Sequence, residues 1–278
     1  MRYCGFNLRK CEFEDAEDIY NLQNIILDEL EDKSILRENS RKMFESCTNY
    51  PNLTIGIYDN ETLIAVAIMV DPIGTEEDLS TDLVSHTVDR SANFKLVLVK
   101  KEYRGNGFQK ALMWILERNA YFQGFTNLCT TVSENNIYSL RNVIGSGYDF
   151  DHDAYKYGGL KRKLYVKDIK HSVGSYNKMI LSCINSWEDK KEKNDLILEG
   201  INFNNCFQGD ISIAQTGDIL EYGDTDSGFT VFGMLLRHFQ DKVVIYIPHK
   251  RNIGIADFSS EISSLKLHNV WINANGGI

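Results

Sequence analysis

An α/β fold of the α+β kind, built on a mixed sheet, is what this sequence predicts, and three observations carry the prediction. Apolar runs rich in β-formers, at 53–58, 63–70, 94–99 and 127–132, are interspersed with segments whose apolar residues recur at helical spacing. The first two runs are separated only by Asp59-Asn60-Glu61-Thr62, a hairpin turn, so they pair antiparallel. The last two are separated by a whole helical segment, so they lie parallel with a right-handed crossover.

Taken in order, residues 6–10 form a first short strand. Residues 13–30 place Ile19, Leu22, Ile25, Ile26 and Leu30 on one helical face with acids at the start, as a helix N-terminus prefers, and Asp15 is the expected N-cap. A second helical piece at 35–46 ends at Asn49-Tyr50-Pro51-Asn52. The hairpin follows, and then a polar stretch, 71–93, with Pro72, Gly74 and the acidic run Glu76-Glu77-Asp78. A loop this long between strands is either a functional loop or a solvated one. Beyond the 94–99 strand comes a helix to about Tyr121, stopped by Gly124, then the 127–132 strand and a helix at 137–146 stopped by Gly147. Strands at 148–156 and 160–167 flank the Gly158-Gly159 turn. The first domain is expected to span 1–170, with a smaller α/β or mostly β accessory domain at 171–278. That region reads as a helix at 176–193, Gly-Asp turns, a helix at 229–239, a strand at 243–248 and short β pieces about Trp271.

The stretch 96–112 stands out. Leu96-Val97-Leu98-Val99 ends in a charged turn that becomes Arg104-Gly105-Asn106-Gly107, and Phe108, Leu112, Ile115 and Leu116 continue at helical spacing. In a strand-loop-helix of this kind the free N–H groups of the first helical turn converge on one point, which attracts an anion, most often a phosphate.

Composition narrows the classes. A net charge of −9 and a pI near 5.2 argue against a nucleic-acid footprint and favour a cationic partner. The basic cluster Lys161-Arg162-Lys163 with Lys167 and Lys170 alternates with apolar residues, as on the solvated face of a strand. No apolar run approaches membrane-spanning length, and the first residues lack the apolar core of a signal peptide. Six cysteines without a C-x-x-C pair suit a reducing compartment, and a cytoplasmic location is expected. Zinc is not expected, because the six histidines show no metal-binding spacing. The segment Asp224-Thr225-Asp226-Ser227-Gly228 fails as a calcium loop, since Gly228 takes a ligand position and Leu235 stands where the bidentate Glu belongs.

Over residues of about 3–170 the order β, α, α, β, β, β, α, β, α, β, β resembles the GNAT (Gcn5-related N-acetyltransferase) superfamily. Arg104-Gly105-Asn106-Gly107-Phe108-Gln109 is similar to its acyl-CoA motif, except that Gln109 replaces a small residue and must turn away from the cofactor. Asn136, Ser139 and Gly147-Tyr148 are similar to its second pattern, although Asn136 also suits a plain helix cap.

The resemblance implies an acetyl-CoA-dependent N-acetyltransferase. Acetyl-CoA, as acyl donor, would lay its pantetheine arm against Val97, Leu98 and Val99 and its pyrophosphate on Arg104, Gly105, Asn106, Gly107, Phe108, Gln109 and Lys110, with Asn136 and Ser139 touching the arm. An amine on a small molecule or peptide would attack the thioester directly, with a backbone N–H near Val99 facing the oxyanion and no metal required. Neither nucleic acid nor membrane is an expected partner; a homodimer is a candidate assembly.

The family's acid is a Tyr where this chain has Val143, and some members place a Glu base where it has Thr131. Tyr138, Tyr155 and Tyr157 are then the candidate acids, and Glu134, Asp149, Asp151 and His152 the candidate bases, unless water carries the proton. The alternative is a non-catalytic acyl-CoA-binding or regulatory module whose C-terminal domain binds a partner.

Overall fold

The computed structural model describes residues 6–171 with their side chains and, beyond them, the backbone of five strands between 219 and 268. A seven-stranded mixed sheet runs through the first part in the order β1-β2-β3-β4-β5-β7-β6. Its strands are β1 (Phe6–Lys10), β2 (Leu53–Asp59), β3 (Thr62–Val70), β4 (Ser91–Val99), β5 (Asn127–Val132), β6 (Asp149–Lys156) and β7 (Leu160–Asp168). Helices α1 (Ala16–Glu29), α2 (Arg41–Cys47), α3 (Phe108–Phe122) and α4 (Ile137–Gly145) complete it. The expected hairpin pairs β2 with β3, turning at Asn60 with φ 53°, and the expected crossover makes β4 and β5 parallel.

The sheet is covered on both faces. Ala65, Ala67, Leu128 and Tyr165 pack with Leu112, Leu116 and Val143 from α3 and α4. Val66, Ile68, Leu96 and Leu98 pack with Ile19, Leu22 and Ile26 of α1 and Phe44 of α2. Neighbouring strand residues go to opposite clusters, as a period of two requires. Farther along the α1–α2 face, Leu79 of the 71–90 loop covers Cys129, Leu164 and Val166. Among the described residues no helix is long and apolar enough to cross a membrane.

The expected Asp15 cap works differently. A short 3-10 turn, Phe13–Asp15, precedes α1, and the Asp15 carboxylate makes no cap bond to α1. It accepts two hydrogen bonds from the Arg9 guanidinium at 2.7 and 2.6 Å, one from Glu12 N–H at 2.7 Å and one from Tyr58 Oη at 3.0 Å. The second helical segment also divides, into a 3-10 turn (Lys33–Ile35) and α2, which Ser40 caps.

A second sheet, β11-β10-β9-β8-β12, is antiparallel and made of β8 (Ile219–Asp224), β9 (Phe229–Phe239), β10 (Lys242–Ile247), β11 (Asn252–Asp257) and β12 (Lys266–His268). The helix expected at 229–239 is thus a strand. Its apolar residues fit helical spacing, but the aromatic and β-branched start Phe229-Thr230-Val231-Phe232 pairs on one edge with β8 while the strand's far end pairs on the other with β10. The helix expected at 176–193 and the β pieces about Trp271 lie outside the described residues.

Gly56 on β2 is crowded by neighbouring side chains. A Cβ there would sit 2.7 Å from Tyr58 Cε2, 2.9 Å from Cys11 Sγ and 2.9 Å from Leu63 Cδ1. Gly56→Ala is expected to cost about 1–3 kcal/mol by overpacking, measured by urea denaturation.

Candidate active site

The site is built where two strands part. β4 and β5 pair only from Ser91↔Asn127 to Asn93↔Cys129. Beyond that point β5 stays with β7 as far as Val132↔Lys163, while β4 stays with β3 as far as Val99↔Ala65. A bulge at Lys95, between the pairs Ile68↔Leu96 and Met69↔Phe94, bends β4 where the separation begins. Thr130 Oγ1 donates to Phe94 O at 2.9 Å and closes the narrow end. Among the described residues no strand pairs with the β5-facing edge of Leu96 to Val99, so a row of backbone groups faces an opening.

One wall of the opening continues into the glycine loop. Gly105 and Gly107 have φ of 85° and 76°, a region in which other residues are strained, and a Cβ at Gly105 would meet nothing within 4 Å. Gly107 caps α3 without a side chain, and Ala111 N–H bonds back to Gly107 O at 3.1 Å, so the N–H groups of the turn before it point out of the helix end. Gln109 turns its Oε1 to Asn142 Nδ2 of α4 at 2.7 Å, while its Nε2 is buried with no partner among the described residues. Arg104 points elsewhere: its Nε donates to Val99 O at 3.1 Å and its Nη2 lies 3.9 Å from Glu29 of α1. Asn136 caps α4 by accepting from Ser139 N–H at 3.1 Å.

Strand order, the parting of β4 from β5 and a glycine loop opening α3 are now all in place. Residues 6–171 have the strand order and the central opening that the resemblance leads one to expect. No protein-family model matches the chain, and no curated protein sequence does. Solved structures similar to it include yncA of Salmonella typhimurium, solved with its cofactor acetyl-CoA (13% identity, 60% of this chain and 95% of that one, TM-score 0.47). An N-acetyltransferase of Staphylococcus aureus gives 14%, 60%, 100% and 0.47, and an acetyltransferase of Thermus thermophilus 15%, 60%, 99% and 0.42.

On the α1–α2 face lies a cleft of roughly 590 Å³. Leu27 and Asp28 of α1, Leu36 and Arg37 of the following loop, and Tyr157 and Leu160 of the β6–β7 turn line it. The loop is fixed from behind by Asn135 Nδ2 to Asp32 at 3.0 Å and by Arg162 Nη2 to Ser34 O at 2.7 Å. Of the three candidate tyrosines, Tyr138 and Tyr155 are 80% and 76% exposed, whereas Tyr157 lines the cleft with its hydroxyl 3.1 Å from Thr131 Oγ1. Glu134 is paired with Lys161 at 2.9 Å.

Of the candidate bases, Asp149 is exposed at the start of β6, and Asp151 and His152 belong to an anchor. Buried at a bulge in β6, Asp151 accepts from Val84 N–H at 2.8 Å, Ser85 N–H at 2.9 Å, and His86 and His152 at 2.7 Å each. A carboxylate only accepts, so both rings donate from Nδ1. Burial alone would raise the Asp151 carboxyl; its four donors outweigh that and hold it well below the usual carboxylate range.

The 71–90 loop is held at two further points. Glu77 binds Arg37 at 2.7 Å and also Lys95, and Asp82 binds Lys156. Sequence spacing gave no sign of these contacts, which join residues 40, 18 and 74 positions apart.

Because the Asp151 carboxyl is lower in the folded than in the unfolded chain, its contribution is complete above the unfolded value of about 4 and is lost as pH falls through the native value. Asp151→Asn is expected to cost about 2 kcal/mol at pH 7, with the gap to the parent shrinking below about pH 4, as read by urea denaturation across a pH series.

Proposed function

We propose that the chain is an acetyl-CoA-dependent N-acetyltransferase whose acceptor is an amine on a small molecule or peptide. The observation that carries this reading is the unpaired edge of β4, opening directly into an uncapped glycine loop. A pantetheine arm carries amide groups and can hydrogen-bond, as an added strand would, to the backbone of Val97 and the N–H of Val99, with Leu98 between them turned to Val66 of β3. The loop from Arg104 to Lys110 then receives the pyrophosphate through backbone N–H groups, while the Gln109 side chain stays turned to Asn142 of α4. Arg104 serves by its backbone, since its side chain is committed to Val99 O and Glu29. Asn136 uses its oxygen as the α4 cap and keeps its amide NH₂ for the arm, beside Ser139.

The acceptor enters by the cleft on the other face, so its amine meets the thioester carbonyl across the sheet. Leu27, Leu36 and Leu160 offer it an apolar bed and Asp28 a carboxylate at the rim. Attack forms the C–N bond as the C–S bond breaks, and the amine must arrive neutral. Holding the two reactants on opposite sides of one opening supplies the proximity that direct transfer needs.

Binding to the native state alone must raise the melting temperature. Acetyl-CoA at millimolar concentration is expected to produce such a shift, and Gly107→Glu, which adds bulk and negative charge at the loop, to abolish it while the unliganded variant stays folded. A folded parent that shows no shift would end this reading. A parent that shifts but releases no thiol with any amine would instead favour a non-catalytic acyl-CoA-binding module.

A further inference from the structure

We infer that Tyr157, delivered from the β6–β7 turn, is the acid that protonates the departing CoA thiolate, and that Arg37 is the positioning residue that holds it there; the inference rests on the acetyl-transfer reading above.

Tyr157 sits in the left-handed region with φ 54°, ahead of two glycines whose φ values, 80° and 103°, are of the same sign. For a bulky side chain that conformation is strained and persists only when the surroundings enforce it. Here they do. The Arg37 guanidinium lies over the phenol ring, 4.3 Å from its centroid, and the ring's hydroxyl reaches Thr131 Oγ1. Arg37 is in turn fixed by Glu77, and Glu77 by Lys95, the bulge residue of β4. Lys156, the residue before Tyr157, is tied to Asp82 of the same loop. Three elements distant in sequence therefore place one hydroxyl.

The place is informative. Thr131 is two residues past Cys129, the last β5 residue paired with β4, and it shares the face of Cys129 by strand alternation. The Tyr157 hydroxyl thus stands at the edge of the opening, on the cleft side. Its neighbour Thr130 bonds to Phe94 O at the narrow end. A thioester at the head of an arm lying along Leu96 to Val99 ends next to this hydroxyl. The proton balance closes: the amine forms C–N, the C–S bond electrons go to sulfur, sulfur takes the phenolic proton, and the proton shed by the acylated nitrogen restores the phenol. Thr131 Oγ1 accepts from the phenol or donates to the phenolate as the cycle requires.

The test uses hydroxylamine as acceptor, a small neutral nucleophile that needs no acceptor-specific contacts, with free thiol release from acetyl-CoA as the readout and melting shifts run in parallel. Tyr157→Phe keeps the ring and its stacking and is expected to lower kcat about 100-fold, the range of general-acid contributions. Its acetyl-CoA melting shift should match the parent's. Arg37→Met is expected to lower kcat about 10-fold with KM for acetyl-CoA unchanged, and Arg37→Lys to recover part of the loss. Thr131→Val, a second variant at the same contact, should lower kcat less than Tyr157→Phe does. Equal kcat in parent and Tyr157→Phe would overturn the assignment while leaving acetyl transfer standing. A parent that binds acetyl-CoA but shows no rate above the protein-free background would overturn it too. A parent that shows no acetyl-CoA shift would remove the functional reading itself.

Discussion

The separation of β4 from β5 after three paired residues is the constraint on which the rest of the structure depends. A sheet gains from every ladder bond it closes, and an opening in its middle forgoes several, each worth about 1 kcal/mol. Three features stop it from zipping shut. β5 is engaged along its full length by β7, which draws it away from β4. The bulge at Lys95 turns β4 at the point of divergence. Thr130 satisfies Phe94 O by a side-chain bond where a ladder bond would otherwise form. Among the described residues that edge is left unpaired in the middle of the sheet, where an added strand or an extended ligand could complete it.

The 71–90 loop does for the cleft side what α3 does for the other. Leu79 gives it a foothold on Cys129, Leu164 and Val166, and polar ties fix the rest: Glu77 to Arg37 and Lys95, Asp82 to Lys156, and Asp151 to Val84, Ser85 and His86. Part-exposed ion pairs contribute little one by one, and ordering a loop of this length costs far more than any single pair returns. Their value lies in geometry. Two of the ties, Glu77 to Arg37 and Asp82 to Lys156, end on a residue of the cleft or beside one, so the loop's fixed position becomes the fixed position of Arg37 and Tyr157. Asp151 is the strongest of the anchors because its four donors converge on a carboxylate that water does not reach.

Much of this frame was legible in the sequence because it is written in local signals. β1 and β5 fall exactly where short runs of β-formers place them, and the helix that follows the glycine loop begins at Phe108 as its apolar spacing requires. Signals failed where two periodicities coincide, as in 229–239, whose apolar residues suit a helix and a strand alike until pairing with β8 and β10 decides. They failed again where a polar side chain had a choice of partners. Asp15 has the residue type and position of a cap, yet Arg9 and Tyr58, far apart in sequence, outcompete the helix for its oxygens. The Arg37–Tyr157 stack is of the same kind: nothing in either residue's neighbourhood announces the other, and the contact exists only once a loop and a turn meet over β5.

Val143, which stands where the resembled family has a tyrosine, bears on the proposed placement of the acid on the cleft side. It is 1% exposed, packed between α4 and the α3 face of the core, so α4 here contributes apolar contact where a tyrosine would contribute a hydroxyl. A polar group substituted at that depth would need a partner or pay for desolvation. With α4 committed to packing, a proton donor has to come from the opposite face, and the β6–β7 turn is the element that reaches the opening from there. One consequence separates this arrangement from an acid on α4. On the proposed reading the donor and the acceptor amine share one cleft, so an acceptor that fills it would also exclude water from the phenol, and closing the site to solvent and readying the acid would become one event.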